Sequence, residues 1–373
     1  MEASGKRCVG IDLAKKTFVA KFDDPETDKV ETWSEKTNEA GVTKFIAKLR
    51  PSDLVGMESR AFAFYFAKRI KAEVGCEVVV LNPWQLYIIH KSAKKTDQED
   101  AKKITWMLRR FPLSELPIVS IPTDLDEHRR MVVSELRTKK RSRTRLINRL
   151  HSLFVRVGIT ETAKDDLKDA EKRLKTVAAL SGYTLDEAGR ILEELDLLES
   201  HIDRIEQEMR EDLKQEPLAK YLMSVPGVGV ATAMAFIAYV GDGSRFASAK
   251  HVAGYVGMTP RIDSSGEVER MGHITKRGCS AIRAVIVQAA WAAIHSKTGN
   301  SFSKKYEELR GRRGKGRAIV AVARRLLEVM WIVTTRQEYY FGTVQKELHM
   351  KLRRNGLKDR LRRLNRKSME PAA

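Results

Sequence analysis

Cysteine is nearly absent from this chain: Cys8, Cys76 and Cys279 stand far apart and are odd in number. That excludes a disulfide framework and a zinc site built on paired cysteines. They read instead as small residues in apolar surroundings, in a protein of a reducing compartment. No apolar run approaches the length of a membrane span. The N-terminal MEASGKRCVGID passes straight into what reads as a core strand, without a signal-peptide pattern. There is no P-loop, so ATP-driven chemistry is not expected. Acidic residues are outnumbered, with 49 Asp and Glu against 69 Lys and Arg, for a net charge of +20. An excess of that size calls for a polyanionic partner, although a scaffold on nucleic acid would share it.

What the chain does have is length and apolar content. With 373 residues, 42% of them hydrophobic, it can build two or three domains, each with its own core. Three textures follow one another. Up to about residue 122, short β-type runs alternate with helical ones. CVGIDLA, TFVAKF and VETWS read as successive strands, EAGVTKFIAKL as a helix, DLVGMES as a buried strand, AFYFAKRIKAE as a helix and EVVVLN as a strand. Helical segments follow Pro83 and Thr96. The order is that of an RNase H-like sheet. From 123 to 215 the chain is helical and highly charged. Apolar positions from Met131 to Phe154 and from Leu185 to Met209 recur every three or four residues, as in an antiparallel helical hairpin or a dimeric coiled coil. Residues 216–350 read as a compact, mainly helical domain, and 351–373 as a basic tail. The fold class expected is α/β plus all-α.

Asp12 sits inside the apolar run CVGIDLA, where a carboxylate is costly unless paired or bound to metal. Glu58 repeats the pattern at the end of DLVGMES. Taken singly, each is as well read as a strand-end residue. In KTDQEDAKKITWML, Thr96 and Glu99 fit a capping box. Asp97 and Asp100 share one face of the first turn, where acids also complement the helix dipole. Together the four acids could converge on one sheet edge. Four clustered carboxylates require neutralising by hard cations such as Mg²⁺ or Mn²⁺, which suit phosphodiester chemistry.

Two further patterns follow. In MSVPGVGVATAMAFIAYVG, Gly227 and Gly229 form the turn of a helix–hairpin–helix, which would admit a DNA phosphate to backbone N–H groups; a plain αα-turn is the competing reading. Farther on, the Ser264-Ser265-Gly266 turn is flanked by Arg261, Arg270, His273, Lys276 and Arg277. Serine and glycine are common turn formers, and a nucleophilic serine would need an activating partner, none of which is evident nearby. The cationic helix carrying Arg137, Lys139, Lys140, Arg141, Arg143, Arg145 and Arg149 is the third nucleic-acid candidate.

In their order and spacing these motifs resemble those of the Piv-type DNA invertases and related DEDD insertion-sequence transposases, a family that includes bridge-RNA-guided serine recombinases. GID, MES and KTDQEDA resemble its RuvC-like motifs, so Asp12, Glu58, Asp97 and Asp100 match its metal-binding set. The Pro-Gly-Val-Gly turn, AGYVGMTPR and SSG…ITKRG…IR resemble its C-terminal transposase domain. There the resemblance assigns the nucleophile to Ser265, with Ser264 as the fallback. It implies cutting and rejoining of donor and target duplex DNA through a phosphoserine intermediate with Mg²⁺. It also implies a structured guide RNA and a homo-oligomer, a dimer or a tetramer in the synapse, in which one subunit's serine domain completes another's acidic site. The setting would be the bacterial cytoplasm, at the nucleoid. Competing readings are a RuvC-like junction endonuclease using water, and a DNA-binding protein without activity. The second leaves Asp12 and Glu58 unexplained.

Overall fold

Several hydrophobic stretches near the N-terminus become strands because each shows alternate residues to two helical layers. The computed structural model describes residues 5–60, 62–89, 96–265, 268–296 and 300–340. The chain divides into two units, Met1–Thr123 and Asp124–Ala373.

In the first unit β1 (Cys8–Leu13), β2 (Thr17–Asp24) and β3 (Lys29–Lys36) form an antiparallel meander. Helix α1 (Glu39–Ile46) leads to β4 (Leu54–Glu58), which lies parallel to β1, and α2 (Ala63–Glu73) to β5 (Glu77–Leu81), parallel to β4. Helices α3 (Pro83–Ile89) and α4 (Asp97–Arg110) follow, and a two-residue β6 (Ile118–Val119) closes the sheet antiparallel to β5. The strand order is β3-β2-β1-β4-β5-β6, a mixed sheet. Alternation along the strands assigns the faces. Val9, Ile11, Leu13, Val55, Met57, Val78 and Val80 pack with Phe45 and Ile46 of α1 and Phe66 and Ile70 of α2. Cys8, Leu54, Val79 and Leu81 pack on the other side with Leu86, Ile104, Met107 and Leu108 of α3 and α4. The strands and helices expected here from the sequence are present; β6 had no signal in it, being two residues long.

In the second unit the long helices α5 (Asp124–Arg156) and α7 (Gly182–Lys214) run antiparallel, with α6 (Ala170–Val177) between them in the chain. Their apolar stripes meet within one chain. Val132, Val133 and Leu136 join Ile202, Ile205, Met209 and Leu213 in the main core. Ile147, Leu150, Leu153 and Phe154 pack with Ile191 and Leu195 in a separate cluster. Of the two arrangements the periodicity allowed, the chain forms the helical hairpin. Met131, expected in the stripe, is 63% exposed.

Helix α8 (Ala219–Met223) is followed by α9 (Val230–Val240), α10 (Ala249–Val256), the hairpin strands β7 (Pro260–Ser265) and β8 (Val268–Ile274), then α11 (Ser280–Ile294), α12 (Ser301–Arg313) and α13 (Lys315–Arg336). Apolar nearly all round, α9 is buried at the centre of this unit, the expected fate of such a helix. One expectation needs correcting. Ser264 and Ser265 are the last residues of strand β7, not a turn, and Gly266 lies outside the described residues. The basic tail from 351 also lies outside them. No helix among the described residues is long and apolar enough to cross a membrane.

Candidate metal centre and nucleic-acid interface

The acidic site begins with two glycines. Gly10 in β1 and Gly56 in β4 are register partners, leaving a shallow trough across the sheet. Helix α4 lies in it. A Cβ on Gly10 would collide with the backbone of Ala101 and Thr105, and one on Gly56 would stand 2.8 Å from Leu108. The Gly10 N–H donates to Thr105 Oγ1 at 3.1 Å, and that hydroxyl donates to Ala101 O at 2.8 Å, fastening helix to strand. Asp12 and Glu58 lie two residues beyond these glycines and therefore face the same layer. The start of α4 brings Asp97 and Asp100 into its first turn. Thr96 caps that turn by accepting from the Glu99 N–H at 3.3 Å. The other half of the expected capping box is replaced: the Glu99 carboxylate pairs with Lys102 at 3.6 Å.

Asp12 is 3% exposed, and among the described residues its Oδ1 has no hydrogen-bond partner. Burial, opposed by Arg60 and reinforced by the charges of Asp97, Asp100 and Glu58, pushes its carboxyl up to about 6. The four acids named by the sequence therefore act on one another electrostatically. They are not gathered to ligand spacing: among the described residues no three His, Cys, Asp or Glu side chains stand close enough to hold an ion. Protein cations engage three of them instead. Arg60 Nη2 lies 3.2 Å from Glu58 Oε2 and 3.7 Å from Asp12 Oδ1. Lys103 Nζ pairs with Asp100 at 3.0 Å. The donor set nonetheless fits a hard divalent cation, because it is all carboxylate and one buried oxygen is unsatisfied. Arg60, two residues after Glu58, was not singled out from the sequence. Its only sequence signal was a cation beside a buried acid.

In the second unit the candidate nucleic-acid residues divide by what holds them. On α5, Lys140 pairs with Glu206 at 2.6 Å, Arg149 with Glu187 at 2.9 Å, and Lys139 contacts His201 Nδ1 at 3.3 Å. Arg137 reaches Ser280 Oγ at 3.5 Å. Arg141 and Arg145 are exposed and Arg143 half-exposed. Arg129, part of the same basic stretch, is 5% exposed and donates twice to Asp212, at 2.7 and 3.0 Å, and once to Glu216 at 3.0 Å. Gly227 adopts φ 82° and abuts α11, where a Cβ would strike the backbone of Ala289 and Ala293. Packing thus accounts for that glycine. Gly229, at the start of α9, has open space where a side chain would stand.

The β7–β8 hairpin is rooted by backbone contacts. Thr275 N donates to Thr259 O at 2.8 Å and Lys276 N to Gly257 O at 3.1 Å. Arg283 Nη1 donates to the carbonyls of Val256 and Gly278, each at 2.9 Å. The AGYVGMTPR and ITKRG motifs are thereby locked together. Arg270 pairs in register with Asp263, and Ser265 with Val268, across the hairpin. Arg261, His273, Lys276 and Arg277 are exposed.

The comparisons with known proteins bear on both units. Residues 9–159 match the model of a transposase domain of the DEDD, IS110 type, and residues 219–307 that of the transposase IS116/IS110/IS902 family. A probable family 20 transposase of Pseudomonas aeruginosa is 28% identical over 89% of this chain and 98% of its own. The transposase for insertion sequence element IS1111A of Coxiella burnetii is 28% identical over 90% of this chain and 91% of its own. The pilin gene-inverting protein of Moraxella lacunata is 31% identical, over 31% of this chain and 36% of its own. With all four acids inside the first matched segment and the hairpin inside the second, the chain belongs to the IS110/IS116 family of DEDD transposases, enzymes that cleave DNA and transfer its strands.

Proposed function

We propose that this transposase is a serine recombinase of a mobile element, in which an RNase H-like first unit holds Mg²⁺ on Asp12, Glu58, Asp97 and Asp100 and Ser265 is the nucleophile. The observation that carries the reading is Asp12: a buried carboxylate with an oxygen that receives no hydrogen bond, set in the field of three other acids. Such a group is an expensive defect in a fold unless it serves a ligand. Bound divalent cation would supply charge neutralisation at the phosphodiester oxygens. The protein's own part is to present the acids from a rigid sheet and helix, and to release Glu58 from Arg60 and Asp100 from Lys103 when they take up that task.

On this reading Ser265 Oγ bonds to phosphorus, the sugar oxygen leaves as a hydroxyl, and attack by the hydroxyl of another strand restores the serine. Bond energy is thus conserved. The Pro-Gly-Val-Gly turn acts as a helix–hairpin–helix through Gly229, whose open side is consistent with approach of a phosphate. The resemblance adds a homo-oligomer acting on donor and target DNA in the bacterial cytoplasm. It also adds a structured guide RNA, whose A-form backbone would suit the exposed cations of α5.

The test is to express the protein with its flanking DNA, lyse in denaturant, and look for DNA covalently attached to protein. An adduct that is lost in Ser265→Ala and kept in Ser264→Ala supports the proposal. Cleaved DNA without an adduct, at full activity in Ser265→Ala, would make the enzyme a water-using nuclease.

A further inference from the structure

A cleft of about 290 Å³ opens between α11, α12 and α13, lined by Trp291, Ile294, His295, Tyr306, Arg310 and Lys315 among others. None of these residues belongs to the motifs considered above. Three aromatic rings organise the cleft. His295 stacks on Trp291 with ring centroids 5.9 Å apart and planes 16° apart, and Tyr306 meets Trp291 edge-on at 5.7 Å. His295 is exposed, and its Nδ1 lies 2.8 Å from Trp291 O, so that nitrogen carries the proton and Nε2 stays available. Two lining residues, Arg310 and Lys315, are cations and one, Glu307, is an acid. The run Arg310-Gly311-Arg312-Arg313-Gly314-Lys315-Gly316-Arg317 is exposed throughout. The ion pair between Arg310 and Glu307, at 3.6 Å, engages one of its five cations, and among the described residues Arg312, Arg313, Lys315 and Arg317 have no acidic partner. The nearby Glu308 is taken by Lys305 at 3.3 Å.

We infer that this cleft binds single-stranded DNA, with one unpaired base on the His295 and Trp291 rings and the flanking phosphates on Arg312, Arg313, Lys315 and Arg317. Flat rings beside unpaired cations are the combination that holds an unstacked nucleotide, since every base has a π-face and every linkage a charge. A duplex would satisfy the cations but leave the rings unused. A small organic anion would need one or two of the charges, not a run of them. DNA is favoured over RNA because the chain belongs to a family that cleaves DNA and transfers its strands. The inference rests on that family activity and is independent of the metal site and of Ser265.

The test uses the full-length protein without added metal, in wild-type and Asp12→Ala forms, and a single-stranded oligodeoxynucleotide carrying 5-iodouracil. Ultraviolet crosslinking should attach the base within the peptides containing Trp291, His295 or Tyr306, equally in both forms. Crosslinks confined to other parts of the chain would overturn the assignment. Replacing Arg312, Arg313 and Lys315 together by Ala touches exposed side chains only. It should reduce the slope of log affinity against log salt by about 2, three contacts at about 0.7 each for a single strand. An unchanged slope would refute the phosphate track. His295→Ala should weaken binding about fivefold or more, and an abasic site at the crosslinking position should erase that difference. Tighter binding and stronger crosslinking of the matching RNA would overturn the choice of DNA.

Discussion

Asp12→Asn should make the metal-free protein more stable while abolishing its activity. The carboxyl is 3% exposed, has an oxygen without a hydrogen bond, and is pushed up from an ordinary 3.8 to about 6. Above pH 6 the folded protein therefore carries an ionised group that the unfolded chain ionises more readily. The gap of about two pH units corresponds to about 3 kcal/mol against folding, at about 1.4 kcal/mol per unit. Because the folded value is the higher one, this group favours folding most below pH 4, and that advantage is lost as pH rises through 6. Asparagine keeps the shape and removes the charge. At pH 8 the variant should exceed the wild type by about 3 kcal/mol, and at pH 5 by about half as much. Denaturant titrations at the two pH values give both differences from the unfolding midpoint and slope. Added Mg²⁺ should raise the melting temperature of the wild type and leave the variant unmoved, since binding to the folded state alone stabilises it. A variant less stable than wild type at pH 8, or a gap that fails to narrow at pH 5, would refute the account of Asp12 as a destabilising buried charge.

Two other substitutions test the scaffold and the basic helix. Gly10→Ala should destabilise by more than about 3 kcal/mol because the methyl meets backbone of α4, whereas Gly56→Ala should lose only about 1–2 kcal/mol because the Leu108 side chain can turn aside; equal losses in thermal unfolding would show that α4 is not seated by this trough. Arg141→Ala with Arg145→Ala should lower the salt slope for duplex DNA by about 2, while Lys140→Ala, already answered by Glu206 at 2.6 Å, should change it little; the reverse ranking would remove α5 as a contact surface.

The first unit was legible because its central strands are buried on both faces, so that CVGIDL and EVVVL stand out as short, nearly continuous apolar runs. Asp12 inside one such run and Glu58 at the end of another stand out as acids among apolar residues, which is why both could be named without a structure. What pattern could not supply was the answering cation. Arg60 and Lys103 engage three of the four acids, and nothing in a one-dimensional pattern tells an arginine that turns back onto its own strand end from one that faces solvent. The β7–β8 hairpin was missed for a different reason. Its strands, PRIDSS and VERMGHI, are short and rich in turn-forming and charged residues, which leaves no apolar period to read in the sequence.

The basic helix shows how far a charge count reaches. Between Arg129 and Arg156 the sequence sets a run of cations against Glu135 alone, which reads as a phosphate-binding surface. The antiparallel partner changes the sum: α7 places Asp212, Glu206 and Glu187 against Arg129, Lys140 and Arg149. Arg129, nearly buried, works as a clamp between helices. Truncating such a pair typically costs about 3–5 kcal/mol, whereas an exposed pair contributes at most about 1 kcal/mol. The cations on α5 thus fall into two populations that composition cannot separate, those that hold the hairpin together and those, such as Arg141 and Arg145, left for an outside partner. By the same reasoning the exposed run at Arg310–Arg317 weighs more than its length indicates, because most of its positive charge meets no acid among the described residues.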